Sequence, residues 1–311
     1  MRAAAAVVLV LASLSLAACG GSDAGGSATT GGGGQPAAGT LESLWRAPGP
    51  DVVLVAGTSD YGAGSIRYSF LVVDKQGRAH VSERARFWVS RGLGRKPFAQ
   101  TEARLETISV PGSRYQADAP QLFVADLKLP EPGKYWVLAE PIGGPKIQGL
   151  GQLDVKAHPA APSVGDRAPA SATPTLRSTG GDLQALTTRV PSDRALLRWS
   201  VAESLRAHVP FVVSFATPAF CASRTCGPVV DVLDGVRKRF AGRPVRFIHV
   251  EIYADNDPAK GENRWVRQWN LPTEPWTFLV GRDGRIKQRI EGAFSAGELE
   301  RSVRSLLLGA R

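Results

Sequence analysis

The sequence has few of the residues that carry redox and metal chemistry. Among 311 residues there are three cysteines, one methionine and four histidines. The 34 glycines and 22 prolines are too few for a collagen-like or low-complexity chain. After residue 19 no apolar run approaches the about 18 residues of a membrane-spanning helix, so none is predicted there. The whole sequence is 43% hydrophobic and 21% charged, which excludes a wholly disordered chain and, at this length, predicts two domains.

Acidic residues are also scarce relative to basic ones, and the net charge is +10. Such a charge is compatible with binding to nucleic acid, with binding to anionic lipid, and with neither. The cellular compartment is needed to discriminate between these partners. Met1 and Arg2 precede an uncharged apolar run that is shorter than the about 20 residues of a bilayer span. This pattern predicts a signal peptide over residues 1–18. Because an exported protein does not meet chromosomes, we expect no nucleic-acid partner.

The string Leu16-Ala17-Ala18-Cys19-Gly20 resembles the lipobox of bacterial lipoproteins. The resemblance implies cleavage before Cys19, diacylglycerol on its sulfur and an acyl chain such as palmitate on its nitrogen. The implied location is the extracytoplasmic face of the cell membrane, or the outer membrane in a diderm organism. An ordinary signal peptide with an accidental cysteine is the alternative. The Gly-, Ser- and Thr-rich chain that follows predicts a flexible tether over residues 19–44.

Residues 45–157 contain seven short apolar runs separated by turn signals, without a helical period. This pattern predicts a β-sandwich. The segment Pro132-Gly133-Lys134-Tyr135 resembles the start of a late strand in immunoglobulin-like sandwiches, where the tyrosine hydroxyl bonds upstream backbone. No histidine, cysteine or methionine cluster occurs here, so we interpret the domain as a spacer or a partner-binding module. Four prolines among small residues then predict a semi-rigid linker over residues 158–175.

Residues 176–311 alternate between helical and strand patterns. Ser200 and Ser295 each begin a capping-box string, which marks a helix start. Phe211–Ala216 is a continuous apolar run of the kind found in a strand covered on both faces. The predicted order is helix, strand, helix, strand, helix, hairpin, helix, which indicates an α/β domain.

This second domain resembles the thioredoxin fold, and most of all the membrane-anchored extracytoplasmic thiol-disulfide proteins. A buried strand leads into Cys221 and Cys226 at a helix start, and Leu271–Phe278 is similar to the loop in which that family places a cis-proline. The resemblance implies a redox dithiol, with Pro275 and its neighbours Glu274 and Trp276 shaping the substrate groove. The predicted fold class is therefore two domains, an all-β immunoglobulin-like sandwich followed by an α/β thioredoxin fold.

The cysteine spacing departs from the Cys-Gly-Pro-Cys signature of that family. Cys226-Gly227-Pro228 is followed by Val229, and the second cysteine, Cys221, lies five residues upstream. Residues five apart in a helix are about 7.5 Å apart along its axis, beyond the roughly 4.4–6.8 Å that a disulfide requires. The two cysteines can therefore pair only if residues 221–226 turn before the helix begins. Cys226 is closest to the free N–H groups of the helix start, so we assign it the lower pKa, with Arg224 as a second influence. The contrary order, in which Cys221 attacks, stays open.

The function predicted from these features is a membrane-anchored extracytoplasmic thiol-disulfide oxidoreductase. Its partners would be exported protein thiols or disulfides, or a membrane redox carrier. One alternative is a non-enzymatic binding lipoprotein with a structural disulfide, although so small a closed loop gains little unfolded-state entropy. Another is a copper chaperone of the cytochrome oxidase assembly type, with His249 as the third ligand. We predict no cofactor and no metal site.

Overall fold

A computed structural model of the chain describes residues 35–47, 49–143 and 146–309. The predicted signal peptide, the predicted lipidation site Cys19 and most of the predicted tether lie outside the described residues. From Pro36 onward the chain forms one compact unit. None of the described helices has the length and apolarity needed to cross a membrane.

The first half of this unit is a closed β-sheet. A short helix, α1 (Leu41–Trp45), precedes it. The strands are β1 (Val52–Ala56), β2 (Tyr61–Gly62), β3 (Gly64–Asp74), β4 (Arg84–Ser90), β5 (Ala99–Thr107), β6 (Gln121–Leu129), β7 (Gly133–Pro141) and β8 (Gly149–Lys156). Seven of them run in the order β1-β3-β6-β5-β4-β7-β8, and β1 also pairs with β8, which closes the ring. The two-residue β2 pairs with β8 outside this ring.

The predicted immunoglobulin-like sandwich is wrong, because these strands form a closed seven-stranded β-barrel. A sandwich needs two separate sheets, whereas every strand of this ring has a neighbour on both sides. Aromatic rings fill the interior, with Phe70 and Phe87 at a centroid distance of 5.1 Å. The Tyr135 hydroxyl does donate to the Glu131 carbonyl oxygen at 2.7 Å, as the resemblance implied. That corner is thus compatible with a barrel and does not discriminate between the two folds.

The second half is built on a four-stranded mixed sheet in the order β10-β9-β11-β12. Its strands are β9 (Phe211–Phe215), β10 (Arg246–Val250), β11 (Trp276–Val280) and β12 (Ile286–Glu291). Its helices are α2 (Val201–Arg206), α3 (Cys226–Arg239), α4 (Arg264–Gln268) and α5 (Ala296–Ser302). β9 is parallel to β10 and antiparallel to β11. The elements follow one another along the chain in the order that the periodicities predict.

Helices are few, however, and the predicted fold class does not describe this architecture. Of the described α-helices, α3 alone is longer than seven residues, and α5 continues into a π-helical turn, Val303–Leu307. Residues 157–200 contain neither a helix nor a strand, apart from one isolated bridge at Arg167. The expected sandwich followed by an α/β domain is therefore corrected to a β-barrel followed by a second sheet with short helices and long irregular segments.

The barrel and the second sheet share one hydrophobic cluster. Ile108, Leu122 and Val124 contribute from the barrel side, and the buried faces of α3 and α5 contribute from the other. The Arg67 side chain on β3 forms a buried ion pair with Glu298 on α5. Because α3 begins at Cys226, this shared core places the barrel directly against the candidate site.

Candidate functional site

Cys221 and Cys226 lie together at the beginning of α3. β9 ends at Phe215, and the chain turns through residues 217–225 before the helix starts. Arg224 has the left-handed φ of 51°, and its N–H donates to the Cys221 carbonyl oxygen at 3.1 Å. The turn brings the Cys221 sulfur to 3.4 Å from the Cys226 backbone nitrogen, whose N–H it accepts. The turn that the Cys-x4-Cys spacing required before the helix is therefore present.

The two thiols differ strongly in environment. Cys226 is fully buried, whereas Cys221 is partly exposed, and both are free thiols. The Cys226 thiol donates to the Cys221 sulfur and, with help from the Ser223 hydroxyl and nearby N–H groups, lowers the Cys221 pKa to about 5. For the same reason, and because of burial, the pKa of Cys226 is raised well above its ordinary value. Cys221 is the thiolate at neutral pH.

The sequence-based assignment of the lower pKa to Cys226 is therefore wrong. A free N–H group at the helix start does stabilise a thiolate here, but the N–H of Cys226 donates to the sulfur of Cys221 and not to its own. A residue five positions upstream thus receives the stabilisation that we assigned to the first helical residue. The low pKa belongs to the exposed thiol.

Glu274 is the third ionisable group of the site. One of its carboxylate oxygens and the two sulfurs all lie within 4.8 Å of one another. The Glu274–Pro275 peptide bond is cis, as the resemblance implied. Burial raises the pKa of Glu274 to about 7, and the neighbouring Cys221 thiolate adds to this shift. At neutral pH the carboxyl group is therefore poised between its two protonation states.

The other two predicted site residues are Trp276 and Arg224. Trp276 is buried in the core, stacked on Phe278 at a centroid distance of 5.6 Å, and it borders a cavity whose lining includes neither cysteine nor Glu274. The Arg224 side chain is 75% exposed, and its guanidinium lies 3.8 Å from the Asp118 carboxylate. The groups that lower the Cys221 pKa are those named above, and a pKa-tuning role for Arg224 finds no support in this geometry.

Sequence reasoning missed the part of the site that comes from the barrel. The connection between β5 and β6, residues 108–120, lies on α3, and its Tyr115 ring contacts Gly227, the neighbour of Cys226. The signal that could have revealed it is the series Gly227, Asp231 and Gly235 at steps of four along α3. Residues four apart in a helix share a face, and small residues there admit a closely packed partner.

The donor set for a metal in this region is Cys221, Cys226 and Glu274. Two thiolates and one carboxylate are ligands that Zn²⁺ accepts. His249 does not join this set in the described part of the chain, since its Nε2 lies 2.9 Å from the Ala216 carbonyl oxygen and the residue is buried. The two-thiolate, one-imidazole arrangement that the copper-chaperone alternative needs is therefore not formed by the described residues.

No protein-family profile and no curated protein sequence matches the chain. Among solved structures, it is similar to the crystal structure of a thiol:disulfide interchange protein, a thioredoxin family protein from Chlorobium tepidum TLS. The sequences are 14% identical, the match covers 47% of this chain and 99% of that chain, and the TM-score is 0.33.

Proposed function

We propose that this protein is a thiol-disulfide oxidoreductase in which Cys221 attacks and Cys226 resolves. The observation that carries the proposal is a partly exposed sulfur that accepts the Cys226 backbone N–H at 3.4 Å and lies within 4.8 Å of a buried thiol. A thiolate stabilised in this way is nucleophilic at neutral pH, whereas a structural cysteine is buried and inert. In the alternative, a binding protein with a permanent disulfide, a stabilised thiolate at Cys221 would have no function.

The exchange proceeds in two steps. The Cys221 thiolate attacks one sulfur of a partner disulfide, a Cys221–partner S–S bond forms, and the other partner sulfur leaves as a thiolate. The Cys226 thiol then loses its proton and attacks the Cys221 sulfur, which releases the second partner sulfur as a thiolate. The partner disulfide is thereby reduced by two electrons, and the Cys221–Cys226 dithiol is oxidised to a disulfide. The same steps in reverse oxidise a partner dithiol.

Glu274 receives the proton in the second step. Cys226 has a raised pKa and cannot attack until it is deprotonated. The Glu274 carboxylate lies within 4.8 Å of the Cys226 sulfur, and its pKa of about 7 leaves a large fraction able to accept a proton at neutral pH. Once Cys221 enters a mixed disulfide its negative charge is lost, which removes one cause of the raised Glu274 pKa.

The partners that we propose are exported protein thiols or disulfides, or a membrane redox carrier. The signal-peptide and lipobox patterns before Gly20 support this compartment, with Cys19 as the lipid anchor.

Trapping of a mixed disulfide tests the proposal. Cys226→Ser protein is mixed with a peptide disulfide, and covalent adducts are identified by mass spectrometry. We expect an adduct at Cys221, whereas the matched Cys221→Ser protein should form none. If neither variant forms an adduct and the wild-type pair has a potential below about −300 mV, the disulfide is structural and the binding-protein alternative is favoured.

A further inference from the structure

The helix that begins at Cys226 has a surface that fits a loop of the barrel closely. A Cβ atom added at Gly227 would lie 2.4 Å from the Tyr115 ring, and one added at Gly235 would lie 2.9 Å from Val110 Cγ1. Both contacts are with residues 108–120, called here the β5–β6 loop. Any larger residue at either glycine would displace this loop, so the helix surface fits it closely along two turns.

A buried carboxylate fixes the loop between these glycines. Asp231 is 3% exposed, and its Oδ2 accepts the backbone N–H groups of Arg114 at 2.7 Å and of Tyr115 at 3.2 Å. Its Oδ1 accepts from the Arg189 guanidinium at 2.7 and 3.2 Å, which neutralises the buried charge. A charged acceptor used in this way holds an irregular segment much more firmly than contact alone.

Tyr115 is also held from outside the helix. Its hydroxyl oxygen accepts the Val190 N–H at 3.0 Å. Ala117 of the same loop packs against the hydrophobic cluster that contains Cys226. The opposite side of the site is more open, since Phe220 beside Cys221 is 43% exposed. One side of the dithiol is therefore covered by the barrel and the other faces solvent.

We propose that the β5–β6 loop is a fixed cover over the first turn of α3, and that Tyr115 makes the exchange site selective by leaving Cys221 as the only sulfur of the Cys221–Cys226 pair that a partner can reach. The inference rests on the proposed function. It makes the barrel a component of the exchange site, because the cover is built from the connection between two of its strands. A mixed disulfide then forms at Cys221 alone, and Cys226 is reserved for the intramolecular step.

The test measures the reactivity of Cys226 directly, without relying on exchange activity. In a Cys221→Ser background, the labelling rate of Cys226 with iodoacetamide is compared with Tyr115 intact and with Tyr115→Ala. We expect Tyr115→Ala to raise the rate about tenfold or more by exposing the thiol. Tyr115→Phe, which keeps the ring but not the bond to Val190, should stay close to the parent. Equal rates for a folded Tyr115→Ala protein and its parent would overturn the proposal.

A measurement on the wild-type protein covers the case in which Tyr115→Ala does not fold. The amide N–H groups of Arg114 and Tyr115 should resist hydrogen exchange as well as those of α3, because Asp231 holds them. Fast exchange of residues 111–118 in the wild type would show a mobile loop and refute a fixed cover. If protection is found but Cys226→Ser traps no mixed disulfide, the cover stands and the exchange function fails, so the two failures are distinguishable.

Discussion

The difference between the two sulfurs depends on which of them donates. A buried thiol that donates to a neighbouring thiolate stabilises the charge on that neighbour and makes its own ionisation harder. Here the donor is Cys226 and the acceptor is Cys221, and this contact is the largest cause of both shifts. The consequence is a division of roles: the exposed sulfur is charged and ready to attack, and the buried one keeps its proton.

Replacing Cys226 tests this contact. Cys226→Ala removes the donor, so the pKa of Cys221 should rise from about 5 toward the ordinary value of a free thiol. Cys226→Ser keeps a hydroxyl donor at the same position and should preserve much of the lowering. The thiolate absorbance of the reduced proteins, followed through a pH titration, measures both values. Identical Cys221 pKa values in the Ala and Ser variants would show that the contact is not the cause.

Glu274 should make the reduced protein less stable as the pH rises. Its pKa is about 7 in the folded state and 4.5 ordinarily, so the folded state binds more protons between these values. The stability that this group contributes is complete below pH 4.5 and is lost as the pH rises through 7. Glu274→Gln should therefore match the wild type near pH 4 and exceed it at pH 8. Since Glu274 is only half-buried, we expect a gain of about 1–2 kcal/mol after solvent screening.

Urea denaturation of both reduced proteins at the two pH values measures this gap. Cys221 titrates in both proteins, so most of its contribution cancels in the difference. Glu102→Gln, at an exposed position of β5, is the matched control and should change stability by no more than about 1 kcal/mol at either pH. If the difference in free energy of unfolding between Glu274→Gln and the wild type does not increase with pH, the raised pKa of Glu274 is contradicted.

At the scale of elements, α3 needs glycine at two positions because the β5–β6 loop packs closely against them. A glycine inside a helix normally weakens it, and replacement by alanine stabilises by about 0.5–1 kcal/mol. At Gly235 the new Cβ would meet Val110 at 2.9 Å, so Gly235→Ala should instead destabilise by about 1–3 kcal/mol. Gly297→Ala in α5 is the control, because its nearest contact is the flexible end of Arg301 at 3.2 Å. Equal free energies of unfolding for the two variants would show that the β5–β6 loop moves away from the new methyl group at little energetic cost.

The elements that could be predicted from the sequence are those specified by local contacts. Ser200 and Glu203 form the capping box that their spacing predicts, and the Ser295 side chain accepts the Glu298 N–H. The turn at residues 221–226 was deduced only as a condition for pairing of the two cysteines, because no local sequence pattern predicts the left-handed φ of Arg224. The contact of Tyr115 with α3 joins residues more than a hundred positions apart, so periodicity could not reveal it.

At the scale of the whole molecule, strand patterns do not distinguish a sandwich from a barrel. Both give alternating short strands with turns, and the decisive fact is whether the first and last strands meet. Here β1 and β8 meet through a single register pair, Val53 and Leu150. Gly149 and Gly151 allow it, because a Cβ at either would crowd Leu54 at 3.3 and 2.9 Å. Both glycines can be read from the sequence, but their role in closing the barrel depends on contact with β1, about a hundred residues earlier in the chain.

The barrel and the second sheet should unfold together, because a buried ion pair joins them. The side chains of Arg67 and Glu298 are 5% and 4% exposed, and Arg67 Nη2 lies 2.9 Å from Glu298 Oε2. Removing one partner of such a pair leaves a buried charge uncompensated, so Glu298→Gln should destabilise by about 3–5 kcal/mol. Glu102→Gln, which breaks the exposed pair with Arg84, should cost about 0–1 kcal/mol.

Hydrogen exchange in rising denaturant, read separately on β6 of the barrel and β9 of the second sheet, measures where the loss occurs. In the wild type both strands should lose protection at the same denaturant concentration, and Glu298→Gln should lower that concentration equally for the two. The double variant Arg67→Met, Glu298→Met removes both charges and should recover much of the lost stability, since apolar side chains of similar length suit this buried position. Separate transitions for β6 and β9, or a Glu298→Gln effect no larger than that of Glu102→Gln, would mean that the shared core does not couple the two sheets.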